Sequence, residues 1–212
     1  MGAGLPILQT IKDLVQTGDE IEKIEGILSG TLSFLFNNYD GKKPFSAILM
    51  EAKTRGYTEP DPREDLSGMD FARKIVIVAR EAGVPLDLAQ VSVQNLVTPE
   101  LQKLKLPEYL AKMHEQDDFF LNQLNKAVSS KKQIRYIGKI KRGENPSVAL
   151  MELEESHPFL RLKGSDNIIA IKSKYYSTQP LIIQGPGAGP EVTAGGVFAD
   201  LLRLATYLGA PT

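Results

Sequence analysis

The chain has 212 residues, of which 42% are hydrophobic and 24% charged, a composition typical of a globular domain with a substantial core. Its 25 basic and 26 acidic side chains leave a net charge of −1, so no basic excess exists to neutralise phosphates, and we expect no nucleic-acid partner. Zero cysteines exclude disulfides, thiolate metal sites and thiol nucleophiles. Because no apolar run approaches the roughly 18 residues that a membrane span needs, we expect no membrane partner.

The first residues lead directly into an apolar helical segment, without a preceding strand or turn. We therefore expect the sequence to be a piece of a longer protein, with Met1 supplied for expression. Pro6 suits the first turn of a helix, and apolar residues continue at helical spacing to about Gly18. A strand interrupted by charges is predicted next, over 21–28.

Helices dominate the following part of the chain. Two are predicted over 31–38 and 45–55, and after an acidic loop a third runs from about Gly68 to Ala82. A long amphipathic helix is predicted from Pro107 to Val128. Its apolar positions are Leu110, Met113, Phe120, Leu121 and Leu124.

Strands dominate the chain after Lys132. The pattern predicts them over 134–140, 148–153, 168–172 and 181–183. Helices followed by strands, without regular alternation, favour an α+β fold over a doubly wound one.

A glycine-rich loop, residues 184–189, follows the last predicted strand and leads into a helix that starts near Pro190. Such a turn lets a ligand approach the backbone closely, and the helix N-terminus favours anions. The chain ends within one helix of this loop, whereas a dinucleotide-binding unit needs roughly 30 residues per βαβ unit and several strands beyond. The loop is therefore not a complete cofactor site.

The densest chemistry lies in an acidic segment, residues 52–74, with the sequence AKTRGYTEPDPREDLSGMDFARK. Its carboxylates are Glu59, Asp61, Glu64, Asp65 and Asp70. Two prolines flank Asp61, stiffen the segment and keep the residues before them out of helical geometry. A stiff loop of carboxylates suits an ammonium group, although a solvated acidic turn is the alternative. Tyr57 fits either a core or a site.

Asp70 and Lys74 stand four residues apart, so they share one face of the predicted helix. Lys74 directly precedes an apolar run, 75–79, that we expect to be buried. A lysine at the edge of such a run, beside a carboxylate, is placed to handle protons. Two simpler interpretations stay open: a surface ion pair worth ~0.5 kcal/mol, and a capping box in which Asp70 pairs with Ser67.

Three other polar positions have simple interpretations. Ser29-Gly30-Thr31 lies at a strand-to-helix junction, where an N-cap is the commoner role. His114 lies on the polar side of its predicted helix. His157 lacks a second histidine at ligand spacing, so we predict no metal site built from side chains.

The fixed positions of the acidic segment match a known pattern. They are Ala52, Gly56, Tyr57, Thr58, Asp61, Pro62, Asp65, Leu66, Gly68, Asp70 and Lys74. In this order and spacing they resemble the signature of the homoserine dehydrogenase family. Further segments resemble the family in the expected order, namely 2–6, 26–33, 157–159, 164–167 and the glycine-rich loop. The ending, 201–211, is similar to the bifunctional aspartate kinase–homoserine dehydrogenases of bacteria and plants.

The resemblance implies an enzyme that interconverts homoserine and aspartate 4-semialdehyde with NAD or NADP, in the pathway to threonine, methionine and isoleucine. It implies that Lys74 donates a proton to the aldehyde oxygen as hydride reaches the carbon, with Asp70 as its catalytic partner. The implied substrate-binding residues are Glu59, Asp70, Asp65, Tyr57 and Thr31. The implied cofactor-binding residues are Gly56 and Gly189. Ala3 and Leu5 match positions whose main-chain carbonyls hold a monovalent cation, Na⁺ or K⁺.

The resemblance also implies how the chain is organised. It predicts a mixed, mostly antiparallel sheet covered by helices, within a substrate-binding, catalytic and dimerisation domain over 1–184. The glycine-rich loop and helix of 185–212 would pack on a dinucleotide-binding domain that precedes residue 1, so the piece alone is expected to be inactive. A small-molecule substrate, a homodimer and a cytoplasmic location (a plastid in a plant) are implied as well. A non-catalytic amino-acid-binding or assembly module is the alternative.

Overall fold

A computed structural model describes residues 4–209 of the chain. The helices are α1 Ile7–Gln16, α2 Gly30–Asn38, α3 Phe45–Thr54, α4 Pro62–Leu66, α5 Met69–Glu81, α6 Pro99–Gln102, α7 Leu106–Lys112, α8 Asp117–Ser129 and α9 Pro190–Tyr207. The strands are β1 Ile21–Ile27, β2 Ser92–Val93, β3 Lys132–Lys141, β4 Ser147–Glu154, β5 Asn167–Ser173 and β6 Leu181–Gly185. Short 3₁₀ turns cover Leu88–Gln90, Met113–Gln116 and Pro158–Arg161.

The strands form one six-stranded sheet in the order β2-β4-β3-β1-β5-β6. All neighbouring pairs are antiparallel except β2 and β4, which are parallel. The predicted α+β fold with a mixed, mostly antiparallel sheet is confirmed. Within residues 4–209, none of the helices combines the length and the apolar content that crossing a bilayer requires.

The main core lies between the helices and one face of the sheet, and α5 approaches that face at Gly138 of β3. Gly26 of β1 stands opposite Gly138 of β3. A Cβ atom on Gly138 would lie 2.5 Å from Cδ1 of Ile75 and 2.8 Å from Cε2 of Phe71. Since no side chain larger than hydrogen fits there, the glycine sets how deeply α5 sits on the sheet.

The opposite face of the sheet carries a smaller apolar cluster, partly covered by the 3₁₀ turn Pro158–Arg161. Its buried members are Ile27, Ile137, Leu153, Phe159, Leu162, Ile168 and Ala170. By strand alternation Arg135 lies on this face, only 7% exposed, and no carboxylate among residues 4–209 pairs with it. Burial lowers the pKa of its guanidinium to about 10.

One predicted helix was wrong. The segment expected as a single helix from Pro107 to Val128 is divided into α7, a 3₁₀ turn and α8. The physical reason is a tertiary contact, because Asp117 at the start of α8 accepts hydrogen bonds from the Ser46 amide and hydroxyl, at 2.7 and 2.6 Å. This contact ties α8 to the first turn of α3. Leu121, one of the apolar positions of the predicted helix, is 39% exposed.

The acidic segment also differs from the predicted continuous loop, because α4 forms within it. The helix begins after Asp61, whose carboxylate accepts the Arg63 N–H, and Pro62 occupies its first turn. The strand β2 and the helix α6 were not predicted, since elements of two and four residues are too short to show periodicity.

Candidate active site

A cleft of about 500 Å³ opens where the start of α2, the acidic segment, the first turns of α5 and the glycine-rich loop meet. It brings together the predicted catalytic, substrate-binding and cofactor-binding residues, which are Thr31, Gly56, Tyr57, Glu59, Asp65, Asp70, Lys74 and Gly189. A second cavity, of about 530 Å³, lies between β1 and the β3–β4 turn and is lined by none of them. The residues predicted for catalysis and binding therefore line the first cleft and not the second cavity.

Lys74 reaches the cleft from α5 with its amine held on two sides. Its Nζ donates to the carbonyl oxygen of Leu28, just after β1, at 3.0 Å, and lies 2.9 Å from Oδ2 of Asp70. The Lys74 side chain is 23% exposed, whereas that of Asp70 is 66% exposed. An ammonium group has three hydrogens, so one donor remains for a group in the cleft.

The hydrogen bonds at the start of α5 determine which group the Asp70 carboxylate pairs with. Gly68 precedes the helix with φ at +71°, and a Cβ atom there would meet the Tyr136 hydroxyl oxygen at 2.1 Å. The Ser67 hydroxyl accepts the Met69 N–H at 3.2 Å, and no side chain caps the helix through the capping-box pattern. The Asp70 carboxylate is left to pair with Lys74, so the capping alternative does not apply.

Asp65 is partly withdrawn from water, and both of its oxygens are engaged. Oδ1 lies 2.7 Å from the Thr31 hydroxyl oxygen, and Oδ2 accepts the Glu59 N–H at 2.9 Å. The Thr31 hydroxyl also lies 2.6 Å from the carbonyl oxygen of Tyr57. Burial raises the pKa of the Asp65 carboxyl above its ordinary value, and the charge of Glu59 acts in the same direction.

Asp61 belongs to a separate ion pair that anchors the acidic segment. Its carboxylate binds Arg63, with 2.6 Å between Oδ2 and Nη2, and this pairing lowers the pKa of Asp61. Arg63 also donates to the carbonyl oxygen of Leu104 at 2.6 Å and lies 4.9 Å from the ring centre of Tyr109. The segment is thereby fixed to the region between α6 and α7.

These pairings leave Glu59 as the carboxylate without a side-chain partner in the described part of the cleft. Glu59 is exposed, and its main chain is held by Asp65. Tyr57 is 41% exposed and packs on Phe34 at a ring-centroid distance of 4.8 Å. Tyr57 therefore lines the cleft and also contacts the core through Phe34.

The glycine-rich loop forms the side of the cleft opposite the acidic segment. A Cβ atom on Gly187 would lie 2.1 Å from Nδ2 of Asn167, so the loop requires glycine to pass β5. Gly189 has φ at +136° and Gly56 has φ at +74°, both in the region that favours glycine. Asn167 and Ser165 also line the cleft, although sequence reasoning did not assign them to the site.

The predicted cation site is only partly described. Ala3 lies outside residues 4–209. The Leu5 carbonyl oxygen accepts the Ile7 N–H at 2.8 Å, which leaves one lone pair for a cation. No cluster of three metal-ligating side chains is found in the described stretch of chain.

Comparison with known proteins assigns the family. The profile of the family described as homoserine dehydrogenase matches residues 6–202. The chain belongs to the homoserine dehydrogenase family. Among its relatives, the chloroplastic bifunctional aspartokinase/homoserine dehydrogenase 1 of Arabidopsis thaliana is 51% identical over 214 residues, covering 100% of this chain and 24% of that protein. The homoserine dehydrogenase of Saccharomyces cerevisiae is 45% identical, covering 98% of this chain and 60% of that protein.

Solved structures of homoserine dehydrogenases share the fold. A putative homoserine dehydrogenase from Archaeoglobus fulgidus superposes with a TM-score of 0.75 at 27% identity, over 96% of this chain and 56% of that one. A Candida auris protein of unknown function superposes with a TM-score of 0.93 at 46% identity, over 97% and 59% of the two chains. This chain thus spans about a quarter of its plant relatives and 60% of the yeast one.

Proposed function

We propose that the chain is the substrate-binding and catalytic portion of an enzyme that interconverts L-homoserine and L-aspartate 4-semialdehyde with NAD or NADP. This reaction lies in the biosynthesis of threonine, methionine and isoleucine. The observation that carries the proposal is the Lys74 amine, held 3.0 Å from the Leu28 carbonyl and 2.9 Å from Asp70 with one donor left for the cleft. Membership of the homoserine dehydrogenase family supports the same conclusion.

In the proposed mechanism, Lys74 donates a proton to the aldehyde oxygen during reduction and removes it from the hydroxyl during oxidation. Asp70 keeps the amine oriented, because its carboxylate and the Leu28 carbonyl fix two of the three N–H directions. NAD or NADP supplies or accepts the hydride when bound. Gly56 and Gly189 would lie against it, since nothing within 4 Å occupies the space of a Gly56 Cβ atom.

We assign the substrate's α-ammonium group to Glu59 and Asp70, the carboxylates that the structure leaves most exposed in the cleft. Asp65, Thr31 and Tyr57 complete this side of the site through the hydrogen bonds that fix the Glu59 main chain. A carboxylate pair beside a single ammonium favours an amino acid over an uncharged aldehyde of the same size.

The proposed domain organisation rests on α9. This helix has no buried side chain, and its exposed apolar residues include Val197, Phe198, Leu201, Leu202 and Leu204. Such a face supports packing on a further domain, here the dinucleotide-binding domain expected before residue 1. The separation into 1–184 and 185–212 follows from it. We also propose that the 212-residue chain alone binds cofactor poorly and does not turn over.

Three further proposals complete the assignment. A homodimer through the sheet is supported by the second sheet face, where Ile182 is 40% exposed and the buried Arg135 has no carboxylate partner within residues 4–209. A Na⁺ or K⁺ ion held by the carbonyls of Ala3 and Leu5 rests on the family resemblance. Location in the cytoplasm, or in the plastid of a plant, is in line with the chloroplastic plant relatives.

The proposal is tested by replacing Lys74 with alanine in the full-length protein and measuring homoserine-dependent reduction of NAD and NADP. Loss of the general acid is expected to lower kcat at least ~100-fold with a modest change in KM. Arg73→Ala is the matched control, because Arg73 is exposed and carries the same charge one residue away. An unchanged kcat in Lys74→Ala would show that Lys74 is not the general acid, whereas a wild-type protein that binds homoserine without turnover, with the same affinity in Lys74→Ala, would favour the non-catalytic binding module.

A further inference from the structure

The Thr31 hydroxyl has more oxygen neighbours than it has hydrogens. Its Oγ1 lies 2.6 Å from the carbonyl oxygen of Tyr57 and 2.7 Å from Oδ1 of Asp65. A threonine hydroxyl carries one hydrogen, and a carbonyl oxygen carries none. If Asp65 were ionised, one of these two short contacts would join oxygen lone pairs with no hydrogen between them.

Within residues 4–209, no cation binds Asp65 and holds it ionised. Arg63 on α4 binds Asp61, and Lys74 on α5 binds Asp70. Glu59 faces it from the preceding loop with a like charge, and α2 contributes the uncharged Thr31. Asp70 on α5 adds a second like charge in the same cleft, while the glycine-rich loop contributes no charged side chain to it.

We propose that Asp65 is a neutral carboxylic acid in the cleft and that its proton makes it a positioning residue for the substrate-binding loop. Oδ1–H of Asp65 donates to Thr31 Oγ1, the Thr31 hydroxyl donates to the Tyr57 carbonyl, and the Glu59 N–H donates to Oδ2 of Asp65. Each of these three hydrogen bonds then has one donor and one acceptor. Burial, the largest influence on this carboxyl, raises its pKa and so acts in the same direction.

Ionisation of Asp65 would change the loop that carries Glu59. The carboxylate would draw the Thr31 hydrogen to itself, and the Tyr57 carbonyl would lose its donor. The backbone between Tyr57 and Glu59 would then lose its hydrogen bond to α2, while the Tyr57 N–H keeps its bond to the Ala52 carbonyl. The role of the Asp65 proton in substrate binding rests on the proposed function, whereas the protonation state itself does not.

The direct test is a ¹³C NMR titration of side-chain carboxyl groups in the 212-residue chain, with Asp65 assigned by through-bond correlation. We expect Asp65 to stay protonated at the pH of the activity assay, and a midpoint below that pH would overturn the proposal. The variant Thr31→Val gives a second test of the protonation state of Asp65. Removing the acceptor of the Asp65 proton should lower the midpoint, whereas removing a donor to an ionised carboxylate would raise it.

Asparagine and alanine at position 65 separate positioning from simple packing in the full-length protein. Asparagine replaces the O–H donor by N–H and keeps an acceptor for the Glu59 amide, so Asp65→Asn should raise the KM for homoserine much less than Asp65→Ala does. Asp65→Ala should raise KM about tenfold with a smaller effect on kcat. Equal losses in both variants would contradict the neutral acid. The titration needs neither substrate nor turnover, so its failure is distinguishable from failure of the proposed activity.

Discussion

Replacing Gly138 by alanine adds one methyl group between α5 and the sheet. Its Cβ atom would lie 2.5 Å from Cδ1 and 2.7 Å from Cγ1 of Ile75, and 2.8 Å from Cε2 of Phe71. Ile75 and Phe71 are at most 1% exposed, so neither side chain has room to turn away. The helix must therefore shift outward, and Lys74 moves with it.

We expect a loss of about 1–3 kcal/mol in the free energy of unfolding, the usual cost of overpacking a filled core. In urea unfolding monitored by far-ultraviolet circular dichroism, this loss should appear as a lower midpoint with an unchanged slope. The same outward shift would lengthen the 3.0 Å contact of the Lys74 amine with the Leu28 carbonyl. In the full-length protein kcat should therefore fall more than KM changes.

Gly195→Ala is the matched control, because nothing lies within 4 Å of its added Cβ atom in α9. Alanine there should be neutral or stabilise by up to about 1 kcal/mol through helix propensity. If Gly138→Ala unfolded at the wild-type midpoint, the close approach of α5 to the sheet would not be what places Lys74.

The remaining predictions concern the anchor of the acidic segment and the aromatic core. Arg63→Ala should destabilise the chain by about 1–3 kcal/mol in urea unfolding, because Asp61 loses its charged partner in a partly buried position. An unchanged urea midpoint would mean that other contacts anchor the acidic segment. Because Arg63 lowers the folded-state pKa of Asp61, this contribution is present above the unfolded-state pKa and is lost as pH falls through the lower folded value. Thermal unfolding against pH should therefore show wild type and variant converging in acid. Phe120→Ala should cost about 3–5 kcal/mol, since the ring is fully buried and stacks on Phe45 at 3.6 Å. The exposed neighbour Phe119 is its control, and equal losses for the two would contradict this packing.

Much of the fold followed from periodicity, because several helices have one buried side each. The helix from Gly68 to Ala82 is of this kind, whereas the strand over 134–140 is buried on both faces along residues 134–138. The division of the predicted 107–128 helix was not visible, since it depends on Asp117 reaching Ser46, which is 71 positions away in the sequence. Periodicity reports local burial and carries no signal for such a contact.

The candidate site was predicted as a group, but not as an arrangement. The resemblance assigned Glu59 and Asp65 to the site and not Asp61, but it did not show that burial and pairing give these three carboxylates different environments. Those environments depend on partners from α2 and from the region of Leu104, which no local pattern identifies. Asn167 was missed for the same reason, because only the folded sheet brings it to the glycine-rich loop.

A crystal structure of the full-length protein with homoserine bound tests the central claim most directly. We expect the substrate hydroxyl within about 2.7–3.2 Å of Lys74 Nζ, and its ammonium group facing Glu59 and Asp70. Homoserine bound in the 530 Å³ cavity between β1 and the β3–β4 turn, or bound in the cleft with its hydroxyl away from Lys74, would contradict it.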